Sequence, residues 1–207
     1  MTAMAAEPTP QPSLRERKKL RTRAAIRRAT YRLVAEQGYE AATVDRIAAT
    51  ADVSPSTVVR YFPVKEDILL TDESDAVLEA RLRARPAGEE PLESLRAVVL
   101  DAVATALAEE PEETRLRARV MVEVPAVRAR LTETAAETAQ RMARALAERT
   151  GRDADDLEVR VFTAAVLGAL REATVYWAER GQTDDLVRLL DRTVDTLKGG
   201  LSLRALP

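Results

Sequence analysis

Thr43-Val44-Asp45-Arg46-Ile47-Ala48-Ala49-Thr50-Ala51-Asp52-Val53-Ser54-Pro55-Ser56-Thr57-Val58-Val59-Arg60-Tyr61-Phe62 holds two short helical patterns either side of a tight turn. Thr43 is placed to cap the first, which runs through Val44, Ile47 and Ala48. Ser54 caps the second, and Pro55 takes its first helical position, where a missing N–H costs nothing. The turn Ala51-Asp52-Val53 calls for a residue at positive φ, which Gly adopts best and Asp tolerates better than most. Apolar Val44, Ile47, Ala48, Val53 and Val58 can pack the two helices crosswise, the helix-turn-helix arrangement.

In that arrangement the second helix turns Ser54, Ser56, Thr57 and Arg60 outward, while Val58 and Phe62 stay in a small core. An outward helix of this size fits a DNA major groove. Arg60 can pair with guanine edges, and the hydroxyls of Ser56 and Thr57 can meet bases or phosphates. Thr43 offers a hydroxyl beside the free N–H groups of a helix start, a natural phosphate clamp. Tyr61 and Lys65 follow the second helix, where a phenol and an ammonium can hold the opposite backbone. Each residue also has a plainer role: Ser54 as a cap, Tyr61 as a wedge in the core, Arg60 as a surface charge. The joint pattern, with a basic helix before it, favours DNA.

That basic helix is the next step outward. Residues 1–70 hold 12 Lys/Arg against 8 Asp/Glu, net +4, and the remainder 20 against 26, net −6. Arg15, Arg17, Lys18, Lys19, Arg21, Arg23, Arg27 and Arg28 crowd one short stretch with the single acid Glu16. Such a run faces either polyanion or plain solvent. Leu20, Ala24, Ile26, Ala29, Leu33 and Val34 recur near helical spacing and Gly38 follows, so one long helix is expected with its cations in the N-terminal half. Residues 1–12, rich in Ala, Thr and Pro, read as a disordered leader.

Composition bounds the rest. The chain has 207 residues, 46% hydrophobic and 32% charged, so it is globular, and only 3% aromatic, which argues against sheets and barrels. Cysteine and histidine are absent, which removes disulfides, ordinary zinc sites and imidazole-based catalysis; no metal and no cofactor are expected. The start lacks a secretory pattern and no apolar run spans a bilayer, so a cytoplasmic location without membrane attachment is expected.

Downstream, a connecting helix is expected over 63–85, running through Ile68, Leu69, Val77, Leu78 and Leu82 to the break at Pro86-Ala87-Gly88. Further helices are expected over 91–109, 111–124, 125–150, 153–180 and 183–201. The fold class is therefore all-α with about nine helices. Residues 13–62 form the helix-turn-helix domain, with its motif at about 43–62, and residues 86–207 form a larger helical domain.

The stretch from about Arg21 to Leu70 resembles the DNA-binding domain of the TetR family of regulators. The resemblance is carried by Gly38-Tyr39, Thr43-Val44, Ile47-Ala48, Val53-Ser54 and, above all, Arg60-Tyr61-Phe62-Pro63-Val64-Lys65-Glu66-Asp67. It departs at Asp52, where the family's turn has glycine, and at Val59, where an aromatic residue commonly touches the DNA backbone. The resemblance implies a homodimeric repressor on a palindromic double-stranded DNA operator, released by a small-molecule effector. The expected DNA contacts are Arg23, Thr43, Ser54, Pro55, Ser56, Thr57, Val59, Arg60, Tyr61 and Lys65.

It also implies a dimer built from the last two helices. Leu157, Val161, Ala165, Gly168, Leu186, Leu190, Val194 and Leu197 are available for a four-helix interface; Gly168 would let two helices approach closely, or pack within one subunit. Effector contacts would come from the central helices, with Met121, Val124, Met142, Phe162, Tyr176 and Trp177 as candidates, since Met and large aromatics suit an apolar ligand. The same residues are also ordinary core filler. The cationic and apolar mixture of 117–130 would serve an anionic amphiphile such as an acyl thioester, although a plain helix surface flanking a turn is the simpler account.

Two other classes compete. A helical enzyme would act through carboxylates such as Asp153, Asp155, Asp156 and Glu158, although these more simply cap and charge a helix start. A helical interaction module would pack its helix-turn-helix on protein, without sequence-specific DNA binding. Strongly salt-dependent DNA binding separates both from a regulator.

Overall fold

The computed structural model describes residues 13–70 and 74–201; the leader expected at 1–12 lies outside the described residues. The architecture is all-α, with ten helices among the described residues. Packing divides the chain into two compact units that join between Ile68 and Leu69.

In the first unit, α1 (Leu14–Gln37) starts with a capping box: Ser13 N–H donates to Glu16 at 2.7 Å and Glu16 N–H to Ser13 Oγ at 3.2 Å. Its basic N-terminal half is largely solvent-exposed, whereas Ile26, Ala29, Leu33 and Val34 are buried. Thr30, buried among them, satisfies its hydroxyl on the Ile26 carbonyl at 2.9 Å. Helices α2 (Val44–Thr50) and α3 (Pro55–Tyr61) pack on one another, with Ile47 and Val58 fully buried. Asp52 holds the turn between them in the left-handed region, φ 54°, and Val53 N–H closes it on the Ala48 carbonyl at 3.0 Å.

The expected helix over 63–85 is not one continuous run. Phe62 leaves α3 with φ −139° and ψ 88° because the ring of Pro63 disfavours helical geometry in the residue before it. Residues 63–66 form a bend and a turn, and helix resumes at α4 (Asp67–Leu70) and α5 (Ser74–Arg83), with 71–73 outside the described residues.

The second unit continues with α6 (Pro91–Glu109), α7 (Pro111–Glu123) and α8 (Pro125–Thr150), each carrying proline in its first turn. Helix α9 (Leu157–Glu179) starts four residues later than expected, because Asp153 and Asp156 act as local caps. Asp155 N–H donates to Asp153 at 2.9 Å and Glu158 N–H to Asp156 at 3.0 Å, which holds the chain out of helix until Leu157. Helix α10 (Leu186–Lys198) lays Leu186, Leu190 and Val194 into a core shared with Leu95, Leu170 and Trp177. Burying each such aliphatic side chain stabilises the unit by about 1.5–3 kcal/mol.

A half-buried polar knot joins three of these elements. Arg149 of α8 donates to the carbonyls of Leu82 (3.1 Å), Arg85 (2.6 Å) and Pro86 (2.9 Å), and to Ser94 Oγ at 3.0 Å. It thereby caps the C-terminal end of α5, where carbonyls lack helical partners and a cation is favoured. Ser94, fully buried, donates its hydroxyl hydrogen bond to the Glu89 carboxylate at 2.7 Å.

Candidate nucleic-acid interface and effector cavity

Helix α3 starts with three linked hydroxyls. Ser54 Oγ accepts from Thr57 N–H at 3.2 Å as the helix cap, and lies 2.9 Å from both Ser56 Oγ and Thr57 Oγ1. Ser54, Pro55, Ser56, Val59 and Arg60 are exposed on the face opposite buried Val58. Val59, 49% exposed, is an apolar side chain held outward at the position where the resemblance expects an aromatic. Thr43 caps α2 through Arg46 N–H at 3.4 Å and is itself exposed.

Folding brings Arg60 beside cations that lie forty residues away in sequence. Arg15, Lys18, Lys19 and Thr22 of α1 line one recess with Thr57, Arg60 and Tyr61 of α3. Spacings of three and four residues set Arg15, Lys18, Lys19 and Thr22 on a single helix face. Arg15, Lys18 and Lys19 are absent from the contacts expected from sequence, although that spacing was there to be read.

Two expected contacts have structural work inside the unit. Arg23 is half-buried, its guanidinium carbon 4.4 Å from the Phe62 ring centroid and its Nη1 donating to the Tyr61 carbonyl at 3.3 Å. Lys65, also half-buried, stands 3.8 Å from the Tyr39 ring centroid and donates to the Tyr39 carbonyl at 3.5 Å. The Tyr39 hydroxyl donates to Glu66, and burial with that carboxylate raises the phenol's pKa well above its ordinary value.

The second unit contains an apolar cavity of about 180 Å3. Val99, Val103, Met121, Trp177 and Leu186 form much of its wall, and Ala102, Ala106 and Ala118 leave the space. Thr114, Arg117 and Thr174 supply its polar groups. Of the six effector candidates read from sequence, Met121 and Trp177 line this cavity. Met142 is buried in the core, Phe162 packs against that core, and Tyr176 faces outward at 41% exposure beside Arg180. Val124 ends α7 as the cap residue before Pro125 and is likewise not in the wall. Thr114, Arg117, Ala118 and Met121 share one face of α7, a pattern hidden in sequence because cations usually mark the solvent side.

The residues expected at a dimer interface separate into two groups. Leu157 (71% exposed), Val161 (57%), Ala165 and half-buried Gly168 form an apolar stripe on the outer face of α9. Beyond its own stretch of helix, a methyl group on Gly168 would meet no atom of the described residues within 4 Å. Leu186, Leu190 and Val194 instead lie in the chain's own core, with Leu197 packed against it. An i, i+4 apolar stripe looks the same whether a neighbouring helix belongs to the same chain or to another. The carboxylates weighed for catalysis act at the start of α9: besides the caps described above, Arg152 pairs with Asp156 at 2.8 Å and Glu158 at 3.1 Å.

A basic helix flanking a helix-turn-helix, followed in the chain by a helical unit with an apolar cavity, defines a DNA-binding transcriptional regulator with a ligand-sensing region. Residues 26–71 match the model for bacterial regulatory proteins of the tetR family, and residues 89–202 match that for the MftR C-terminal domain. The chain is 36% identical over 187 residues to the HTH-type transcriptional regulator TcmR of Streptomyces glaucescens, covering 84% of this chain and 80% of TcmR. It is 27% identical over 180 residues to the HTH-type transcriptional repressor KstR of Rhodococcus jostii, covering 85% and 82%. Among solved structures, FadR of Thermus thermophilus, a TetR-family repressor in complex with lauroyl-CoA, superposes with a TM-score of 0.59 at 27% identity, covering 89% of this chain and 97% of that one. The chain belongs to the TetR family of bacterial regulatory proteins. Among the described residues, no helix is long and apolar enough to cross a membrane.

Proposed function

We propose that this regulator is a homodimeric cytoplasmic repressor, a binder and not an enzyme, that holds a palindromic operator through α3 and leaves it when a small apolar or amphiphilic molecule enters the second unit. The observation that carries the reading is the recess where Arg15, Lys18 and Lys19 of α1 meet Arg60 of α3. It sets phosphate-binding cations beside Arg60, the one side chain of α3 suited to a guanine edge. Ser54, Pro55, Ser56, Thr57, Val59 and Tyr61 complete the groove-facing surface, and Thr43 holds a phosphate at the start of α2. Arg23 and Lys65 set the shape of this surface from below.

Dimerisation is assigned to the exposed stripe of α9. One seven-residue recognition helix reads few base pairs, and two-fold symmetry doubles the readout. Effector sensing is assigned to the cavity lined by Met121 and Trp177, supported by the acyl thioester in the Thermus thermophilus relative. Coupling to the DNA-binding unit runs along residues 63–85, the segment that joins the two in the chain. A tenfold loss of DNA affinity requires about 1.4 kcal/mol of differential ligand binding.

The test is genomic DNA retained by the purified protein, sequenced and then measured by fluorescence anisotropy across a salt series. An inverted repeat bound with a steep salt dependence is the expected result. Equal binding to random DNA would leave the helix-turn-helix as a protein-docking surface.

A further inference from the structure

The outer side of α3 has two flanks of different chemistry. At about 3.6 residues per turn, Ser56 and Arg60 lie opposite buried Val58, with Thr57 and Tyr61 toward one flank and Pro55 and Val59 toward the other. Among the described residues, the recess that carries Arg15, Lys18 and Lys19 takes in Thr57, Arg60 and Tyr61 but neither Pro55 nor Val59. The cations of α1 therefore gather on the Thr57 flank. Pro55 and Val59, an i, i+4 pair with both members exposed, leave the other flank apolar.

The side chain of Val59 carries no charge and no hydrogen-bonding group, so it gains nothing from a phosphate or from the donors and acceptors of a base edge. A major groove offers it one apolar group, the C5-methyl of thymine. Arg60 follows Val59 directly and suits a guanine edge, so the apolar and the hydrogen-bonding contacts fall close together along the groove. We infer, on the reading of α3 as the recognition helix, that Val59 is a specificity-determining residue that packs on a thymine methyl, with Pro55 beside it. Val59 is 49% exposed in the free chain, and the contact removes apolar surface from water on both partners. One methyl is worth about a fourfold change in affinity, and one such thymine in each half-site makes about fifteenfold for a two-fold symmetric operator.

The full-length protein selects its preferred inverted repeat from a randomised duplex library. Each thymine of that repeat is then replaced in turn by deoxyuridine, which pairs identically and lacks only the C5-methyl, and binding is measured by fluorescence anisotropy. One position per half-site, near the base pair where Arg60→Ala relaxes preference, is expected to weaken binding, by about fifteenfold when both half-sites are changed. At that position 5-methylcytosine should outbind cytosine, which separates the methyl from the stiffness of the duplex. Val59→Ser should bind the thymine and uracil operators alike; Val59→Gln serves the same purpose if circular dichroism shows that the first variant does not fold. A parent indifferent to uracil at every position, or one that binds cytosine and 5-methylcytosine equally, overturns the inference and leaves sequence-specific DNA binding standing. An undiminished uracil penalty in a folded Val59 variant overturns it as well, since another residue then reads the methyl. A parent that enriches no sequence from the library overturns the reading of α3 as a recognition helix, and the role of Val59 with it.

Discussion

The guanidinium of Arg23 stacks on the ring of Phe62, 4.4 Å from its centroid, and donates to the neighbouring Tyr61 carbonyl at 3.3 Å. This pair ties the basic helix α1 to the C-terminal end of α3, so the relative placement of α1 cations and Arg60 depends on it. Arg23→Ala should destabilise the first unit by about 1–2 kcal/mol, combining a partly buried cation–π contact with a charge-assisted hydrogen bond. It should weaken DNA binding without lowering the salt slope by a full unit, because Arg23 acts by positioning. Thermal unfolding followed by circular dichroism and a salt series of anisotropy titrations check the two halves separately.

Arg60 and Lys19 should give opposite signatures. Arg60→Ala should cost about 1–3 kcal/mol on the cognate site and relax preference at particular base pairs, with little loss on random DNA. Lys19→Ala should weaken every sequence alike and make the salt dependence shallower by about one unit. Competition titrations with a library of single-base operator variants distinguish them; equal losses on cognate and random DNA for Arg60→Ala would remove its base-reading role.

Glu89 supplies a pH dependence of known sign. Its hydrogen bonds with Arg85, first, and with Ser94 hold its carboxyl at about 2, below the ordinary 4.5. A depressed folded-state pKa means that the ionised form stabilises the fold. That contribution is complete above about pH 4.5 and is lost as pH falls from there toward about 2. Glu89→Gln should therefore have a lower Tm than the parent at pH 7, and a smaller further drop between pH 4.5 and pH 2.5. Scanning calorimetry at several pH values checks it; parallel profiles for the two proteins would refute the assignment.

The two halves of the expected dimer surface should respond differently. Val161→Glu, on the exposed stripe of α9, should leave the monomer folded and shift sedimentation from dimer to monomer at micromolar concentration. Leu190→Ala, in the chain's own core at 1% exposure, should cost about 2–5 kcal/mol of folding stability. A dimeric Val161→Glu variant would place the interface elsewhere.

Local chemistry made much of the fold legible without a structure. Ser54 before Pro55 can begin a helix in few other ways, Asp52 meets the positive-φ turn it was expected to occupy, and Pro91, Pro111 and Pro125 each open a helix. These are nearest-neighbour effects, set by a residue's own φ/ψ limits and hydrogen-bonding groups. Periodicity likewise showed which face of α10 is apolar. What it left open was the partner of that face, since a stripe of Leu186, Leu190 and Val194 loses its water equally well against α6 and α9 of the same chain or against another copy. Only tertiary packing put that stripe inside, turned Tyr176 outward, drew Arg117 to a cavity wall and laid Arg23 across Phe62. Burial is non-directional and indifferent to sequence separation, so a sequence determines which surfaces must be covered, and the assembled fold decides what covers them.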